Sequence, residues 1–152
     1  MARVSKVESK PLAILDSNVI VYAMLKDYPD KLYHRKCLTL LEKGLKGELE
    51  YILCLNPVIV IEVFSALRSL LNSSEAEYRT GSLLYSRRLA FLSVSREACT
   101  NSVRWANENN VPINDALIGA NMVEYADLIY TVDEDHFTKL EEHGVKILNP
   151  IK

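Results

Sequence analysis

Four acidic residues stand in apolar or small-residue surroundings at distant points of the chain: Asp16, Glu62, Asp115 and Asp133. Asp16 closes the run Leu12-Ala13-Ile14-Leu15. Glu62 interrupts Val58-Ile59-Val60-Ile61 and Val63-Phe64. Asp115 lies between Val111-Pro112-Ile113-Asn114 and Ala116-Leu117-Ile118-Gly119-Ala120. Asp133 follows Leu128-Ile129-Tyr130-Thr131-Val132, and Asp135 comes two residues later. An isolated carboxylate in apolar surroundings is costly. Carboxylates packed together repel unless a cation sits among them. With oxygen donors and no Cys/His set, the cation expected is Mg²⁺ or Mn²⁺. Such a centre aligns an attacking water and steadies charge on a phosphate during in-line displacement.

Each acid also has an ordinary explanation. Asp16 and Asp133 could cap the helices that follow them. Asp115 falls in a first helical turn, where the macrodipole favours negative charge. Glu62 could belong to a buried ion pair, although Arg68 is six residues on and too far round the helix to be an i+3 or i+4 partner. The recurrence of acids beside buried segments favours a shared cluster. Thr131 is placed to orient Asp133 by a hydrogen bond.

Other chemistries are excluded or weakened. Cys37, Cys54 and Cys99 are scattered, with no Cys-x-x-Cys, and read as buried free thiols in a reducing compartment. His34, His136 and His143 make no zinc-ligand spacing with them. The five glycines match neither the phosphate loop nor the dinucleotide fingerprint.

The elements that must carry these residues alternate between strand and helix. Strand one is expected at about 12–16 and a short helix at about 18–25. A break at Asp27-Tyr28-Pro29-Asp30 precedes a helix at about 31–46 with Leu38, Leu41 and Leu45 as its core stripe, ended by Gly44 and Gly47. Strand two is expected at about 50–55. Asn56-Pro57 then opens a helix with the stripe Val60, Phe64, Leu67, Leu71. Ser74 and Glu77 form a capping box for a helix at about 74–87. Strand three is expected at about 89–94. A helix from Ser95 to Asn109 and another from Pro112 to Tyr125 follow it. Strand four is expected at about 127–132, a helix at about 135–142 ended by Gly144, and strand five at about 145–148. This alternation predicts an α/β domain with a central parallel sheet of about five strands and helices on both faces. Acids at the carboxyl ends of such strands sit where open α/β sheets bind ligands.

Length and composition are consistent with this. One domain is the natural count for 152 residues, here residues 11–152 after a polar, flexible leader at 1–10. Apolar content of 49% and charged content of 25% are ordinary for a globular protein. The net charge of −2 gives no hint of a basic nucleic-acid surface. The apolar stretch from Tyr51 to Leu67 is broken by Asn56, Pro57 and Glu62, so no membrane-spanning helix is expected and the location reads as cytoplasmic.

The motifs resemble those of PIN-domain proteins, and within that family the VapC-type toxic ribonucleases. The resemblance runs from about Leu12 to Leu148. Leu15-Asp16-Ser17-Asn18-Val19-Ile20-Val21-Tyr22-Ala23, Glu62-Val63-Phe64-Ser65-Ala66-Leu67, Asn114-Asp115-Ala116-Leu117-Ile118-Gly119-Ala120 and Thr131-Val132-Asp133-Glu134-Asp135-His136-Phe137 carry it, in this order. It implies a small parallel sheet and RNA phosphodiester hydrolysis by metal-activated water. It implies that Asp16, Glu62, Asp115 and Asp133 are the catalytic and metal-binding acids, with Asp135 an outer member, and that Asn18, Asn114 and Thr131 line or support the site. It also implies a homodimer restrained by a small antitoxin whose tail fills the acidic cleft. The leader is longer than usual for such toxins, and His136 stands between Asp135 and Phe137, which leaves the role of Asp135 and the toxin assignment open.

Two other readings compete. One is a non-catalytic PIN-type module that holds RNA or a protein through the same cleft. The other is an aspartyl-phosphate enzyme with Asp16 as nucleophile; haloacid-dehalogenase-like enzymes usually carry a second Asp two residues on, where this chain has Asn18. Arg79, Arg87, Arg88, Lys31, Arg35 and Lys36 are RNA-contact candidates, with a solvated helix face the preferred reading for each. Tyr22 and Tyr28 follow the Asp16 strand closely enough to be rim residues; Trp105 reads as packing.

Overall fold

The computed structural model describes residues 10–152, so the expected leader lies outside them but for Lys10. In chain order the elements are β1 (Leu12–Leu15), α1 (Ser17–Met24), α2 (Lys31–Leu45), β2 (Ile52–Leu55), α3 (Pro57–Leu70), α4 (Ser73–Tyr85), β3 (Ala90–Phe91), α5 (Arg96–Asn109), α6 (Ile113–Tyr125), β4 (Leu128–Tyr130), α7 (Asp135–Thr138), a 3₁₀ turn (Glu141–His143) and β5 (Ile147–Leu148). The strands form one parallel sheet in the order β3-β2-β1-β4-β5, flanked by the helices. A parallel sheet is covered on both faces, so its strands read as unbroken apolar runs. Accordingly Ala13, Ile14, Leu15, Leu53, Cys54, Leu55 and Ile129 are almost wholly buried.

The topology sets the position of the site. The chain steps outward from β1 to β2 to β3, then returns to the other side of β1 to lay down β4. The helices that follow β1 and β4 therefore part at these two neighbours, which leaves a crevice beyond their carboxyl ends. The Asp16 N–H donates to the Tyr130 carbonyl at 2.9 Å and fastens the two strand ends together.

Punctuation residues start most helices. The side chains of Asp30, Asn56 and Ser95 accept from backbone N–H groups in the first turns of α2, α3 and α5. At α4 the Ser74–Glu77 box does not form. Asn72 is the cap, accepting from the Glu75 N–H at 2.8 Å, and the helix begins at Ser73. Asn72 is in extended geometry and is itself a strong cap residue, so it takes the role two residues earlier.

Two helices bury a different stripe from the one expected. On α2 the buried residues are Cys37, Leu40, Leu41 and Gly44, while Leu38 is half-buried and Leu45 exposed. Gly44 sets this phase: a Cβ there would lie 2.3 Å from Leu53 Cδ1, so the helix crosses β2 at its glycine. Gly44 is thus a contact point, and Gly47, at φ +73°, makes the turn after the helix. On α3 the buried line is Ile59, Val63 and Leu67, with Val60 and Phe64 half-buried and Leu71 exposed. That rotation places Glu62 on the flank of the buried line, facing away from the core.

The small residues of α6 let it pack closely on the segment before β5. Ala116, Gly119 and Ala120 are buried, and a Cβ at Gly119 would come within 3.2 Å of Val145 and Leu140. The single helix expected at 135–142 is split into α7 and the 3₁₀ turn. Phe137 and Leu140 are both buried, and their three-residue spacing suits the tighter winding. Gly144, at φ +98°, closes it. Cys37 and Cys54 are buried thiols pushed up to about 12 by desolvation, but Cys99 is exposed on α5, contrary to expectation. No helix among the described residues is long and apolar enough to cross a membrane.

Candidate active site

Asp16 ends β1 and caps α1. One carboxylate oxygen accepts from the Ser17 N–H at 2.8 Å; the other accepts from the Thr131 hydroxyl at 2.7 Å. Only 4% of the residue is exposed. Burial pushes its carboxyl up from the ordinary 3.8 to about 7, against the two hydrogen bonds, and the charges of Asp115 and Glu62 push the same way.

Thr131 and Asn18 hold the neighbouring strand exit. The Thr131 hydroxyl accepts from the Asp133 N–H at 3.1 Å, so it fixes the Asp133 backbone while its own proton goes to Asp16. Asn18 donates to the Thr131 hydroxyl at 3.4 Å and accepts from the Val132 N–H at 3.3 Å. Asp133 itself stands at the mouth, its side chain 52% exposed.

Glu62 reaches in from α3. Its two oxygens accept from the Ser17 hydroxyl at 2.9 Å and from the Asn114 amide at 3.0 Å. Two neutral donors thus meet the need for a partner. Arg68 instead lies over the Phe64 ring, 5.0 Å from its centre. Asp115, in the first turn of α6, is mostly covered. Burial raises its pKa, Glu62 and Asp133 add to that, and His136 opposes it. His136 Nδ1 lies 2.7 Å from an Asp115 oxygen and 3.8 Å from an Asp133 oxygen.

The structure therefore brings Asp16, Glu62, Asp115 and Asp133 to one crevice, with Asn18, Asn114 and Thr131 bonded among them. Asp135 opens the first turn of α7, and its charge bears on Lys152, which bonds Glu134 at 2.8 Å. The charges that act most on Asp16 and Asp115 come from the other acids of the crevice and from His136. Two residues of the crevice were not singled out from sequence. Ser17 was visible as the neighbour of Asp16, but its bond to Glu62 spans 45 positions. His136 was visible as a lone imidazole in an acidic run, but its bond to Asp115 spans 21. At the rim, Tyr22 packs against Tyr28 and Tyr33 with ring centres 5.8 and 5.6 Å apart, and the Asp133 charge acts on Tyr22.

A family model described as PIN domain matches residues 13–142, which hold all four acids. The chain belongs to the PIN-domain family. Solved structures share the fold of this PIN domain at low identity. FitAB bound to an IR36 DNA fragment contains a chain 16% identical, with 93% of this chain and 96% of that chain covered and a TM-score of 0.69. The Mycobacterium tuberculosis toxin VapC20, a sarcin–ricin loop cleaving toxin, is 13% identical over 88% and 95%, with a TM-score of 0.68. VapBC-1 from nontypeable Haemophilus influenzae is 17% identical over 93% and 99%, with a TM-score of 0.67. No curated protein matches this PIN domain in sequence.

The donor chemistry of the crevice suits a hard divalent cation. Its ionisable side chains among the described residues are carboxylates with one imidazole, His136, and a carboxyl raised to about 7 by desolvation and neighbouring charge is one that a cation would ionise. No three His, Cys, Asp or Glu side chains among the described residues are grouped closely enough to hold an ion by themselves. Mg²⁺ does not require three, since it commonly binds one or two carboxylates and keeps several waters. Asp16 and Asp115 are the first candidates to hold it, since the charge of Asp115 bears on Asp16 and both are desolvated.

Proposed function

We propose that this PIN domain is a Mg²⁺- or Mn²⁺-dependent ribonuclease. The observation that carries the reading is Asp16: buried, raised to about 7, and placed where strand order reverses, beside Glu62 and Asp115. Asp16 and Asp115 would hold the ion, and Asp133 would complete the charge at the mouth. Glu62, held by Ser17 and Asn114, keeps a fixed acceptor aimed across the crevice, able to orient a water or take its proton. Thr131 and Asn18 keep the β1 and β4 exits in register. The bound ion would supply positive charge for the phosphate oxygens and acidify a nearby water.

An aspartyl-phosphate mechanism fits less well. Such enzymes usually carry a second Asp two residues after the nucleophile, and here that place holds Asn18, whose amide is engaged with the Thr131 hydroxyl and the Val132 N–H. The toxin and toxin–antitoxin complexes among the structural neighbours support a toxin role with an antitoxin as partner; a homodimer in the cytoplasm completes the proposal on the family resemblance alone. The second reading, a non-catalytic RNA- or protein-binding module, is favoured by the absence of a ready three-acid ligand set among the described residues.

Cleavage of a labelled, structured RNA separates the two. The purified protein is incubated with Mg²⁺, with Mn²⁺ and with chelator, beside Asp16→Asn prepared identically. The nuclease reading expects cleavage that needs the metal and disappears in the variant. Retained RNA binding with no cleavage under any condition selects the binding module.

A further inference from the structure

The 18 Lys and Arg against 20 Asp and Glu give no sign of a nucleic-acid surface. The cations are unevenly placed, and two grooves beside α2 collect six of them. The first groove, about 390 Å³, lies between α2 and the end of β4 and is lined by Arg35, Lys36 and Lys43 with Leu49 and Tyr130. The second, about 420 Å³, lies at the amino ends of the strands and is lined by Lys10, Arg87 and Arg88 with Gly47 and Ile52.

The grooves adjoin. Leu49 lines the first, and its carbonyl accepts from Lys10 Nζ of the second at 2.9 Å; the Gly47 carbonyl accepts from the same group at 3.3 Å. In the second groove the Arg88 guanidinium lies over Gly47, whose positive φ serves the turn. No carboxylate lines either groove, and Glu48 and Glu50 of the intervening loop line neither. None of the six cations takes part in an ion pair among the described residues, whereas Arg79 is spent on Glu75 and the Met24 carbonyl. Six like charges without an ion-pair partner repel, offset in part by Glu50, whose charge acts on Tyr130 of the first groove, and a polyanion laid along them lowers that repulsion.

The grooves are also placed to continue the site. The first is lined by Pro150, next to Asn149, whose amide donates to the Glu134 carboxylate beside Asp133, and by Arg35 and Lys36, which follow Tyr33 where it packs on the rim residue Tyr22. The second is lined by Ile52, the first residue of β2. The band of positive charge thus runs from the carboxyl end of the sheet, where the acids stand, to its opposite end. We propose that Arg35, Lys36, Lys43, Lys10, Arg87 and Arg88 form a track for the phosphate backbone of an RNA that extends out of the acidic crevice and round the α2 side of the domain. The proposal rests on the RNA reading of the crevice and deepens it: the substrate is an RNA long enough or folded enough to span both ends of the sheet.

The test is binding of a labelled, folded RNA of tRNA size and of a short single-stranded oligonucleotide, measured by fluorescence anisotropy across a salt series in chelator, where nothing is cleaved. Wild type is compared with Arg87→Gln/Arg88→Gln and with Arg35→Gln/Lys36→Gln, each verified as folded by circular dichroism. Each lost phosphate contact should lower the slope of log K against log salt by about 0.7–0.9, so each double variant should lose about 1.4–1.8 on the folded RNA. The loss should be smaller on the short oligonucleotide, which cannot span the band. Unchanged slopes, equal losses on both RNAs, or no binding of folded RNA by wild type would each overturn the track. Cleavage by wild type is scored separately with metal. No cleavage beside slopes that fall in the variants removes the nuclease and keeps the track; cleavage beside unchanged slopes does the reverse.

Discussion

Asp16 and Asp133 are both delivered by the ends of adjacent parallel strands, yet the two acids live in different media. Asp16 is sealed under α1 and Thr131, and its carboxyl is raised to about 7. Asp133, two residues past a buried threonine, is half in water. The same local pattern, an apolar strand followed by an acid, therefore produces an inner acid whose charge is suppressed and an outer acid free to meet a ligand. The difference comes from what covers each, and it can be tested by breaking the two ends separately.

The largest effect belongs to Asp16→Asn, and it should have opposite signs in activity and stability. Loss of the inner charge should lower RNA cleavage by at least ~10²-fold, the scale of removing one preorganised electrostatic group. Stability should move the other way. The folded carboxyl is raised from 3.8 to about 7, so the stabilising neutral form is fully present below pH about 4 and is lost as pH rises to about 7. Above that, ionised Asp16 destabilises the metal-free protein by up to about 4 kcal/mol. The Asp16→Asn variant escapes this, and Thr131 can turn its proton to the Asp133 carbonyl, 3.2 Å away, and accept the new amide in place of the 3.4 Å bond from Asn18. Urea unfolding in chelator should show the variant ahead of wild type at pH 8 and nearly level with it at pH 4. A gap that does not change with pH would mean that Asp16 is ionised and compensated in the fold.

Thr131→Val tests the lid of the same acid. It removes the 2.7 Å donor without changing side-chain volume much. A buried charged group that loses one hydrogen bond costs about 1.5–3 kcal/mol. The loss should be larger at pH 8 than at pH 5, because the donor favours the ionised form. Equal losses at both pH values would assign Thr131 a packing role through Asp133 rather than an electrostatic one through Asp16.

Much of this arrangement was legible in the sequence, and what was missed has a common cause. Strand positions and most helix starts follow from residues that act locally: an apolar run, Asn56-Pro57, Ser95, Gly144. All four acids of the crevice could be named because each interrupts or ends such a run. The stripes on α2 and α3 were misphased because their rotation is set by a partner, Gly44 over Leu53 in the first case. Ser17–Glu62 and His136–Asp115 join residues with no local relation: the first pair meets because β1 and β2 are neighbours in the sheet, the second because α7 packs against α6. The basic band was half visible: Arg35, Lys36, Arg87 and Arg88 stood among the RNA-contact candidates, but Lys10, Lys43 and the adjacency of the two groups did not show, since the cations come from the residue leading into β1, from α2 and from the turn before β3 while the net charge stays near zero.

Glu62→Gln separates charge from position at the middle of the crevice. Glutamine can still accept from the Ser17 hydroxyl, though its amide would face the Asn114 amide, so stability should fall by less than about 1 kcal/mol on this solvent-accessible group. Activity should fall by about 10- to 100-fold if Glu62 orients water or the ion. Activity unchanged within twofold would demote Glu62 to a clamp between α1 and α6 and would place the working charge on Asp16, Asp115 and Asp133 alone.

The smallest contrast lies at the mouth, between Asp133→Asn and Asp135→Asn. Both acids follow β4, and sequence spacing cannot rank them. Geometry does: Asp133 lies within 3.8 Å of the imidazole that bonds Asp115 and adds to the charge on Asp115, while Asp135 bears on Lys152 at the C-terminal end. Asp133→Asn should therefore lower cleavage by about tenfold and weaken Mn²⁺ binding by a similar factor, whereas Asp135→Asn should change either by less than about twofold. Isothermal titration with Mn²⁺ reads the difference without any substrate. If Asp135→Asn proves the more damaging, α7 must turn in the bound state so that its first residue replaces Asp133 at the mouth. The inner acids would then be the fixed half of the site and the outer acids its adjustable half.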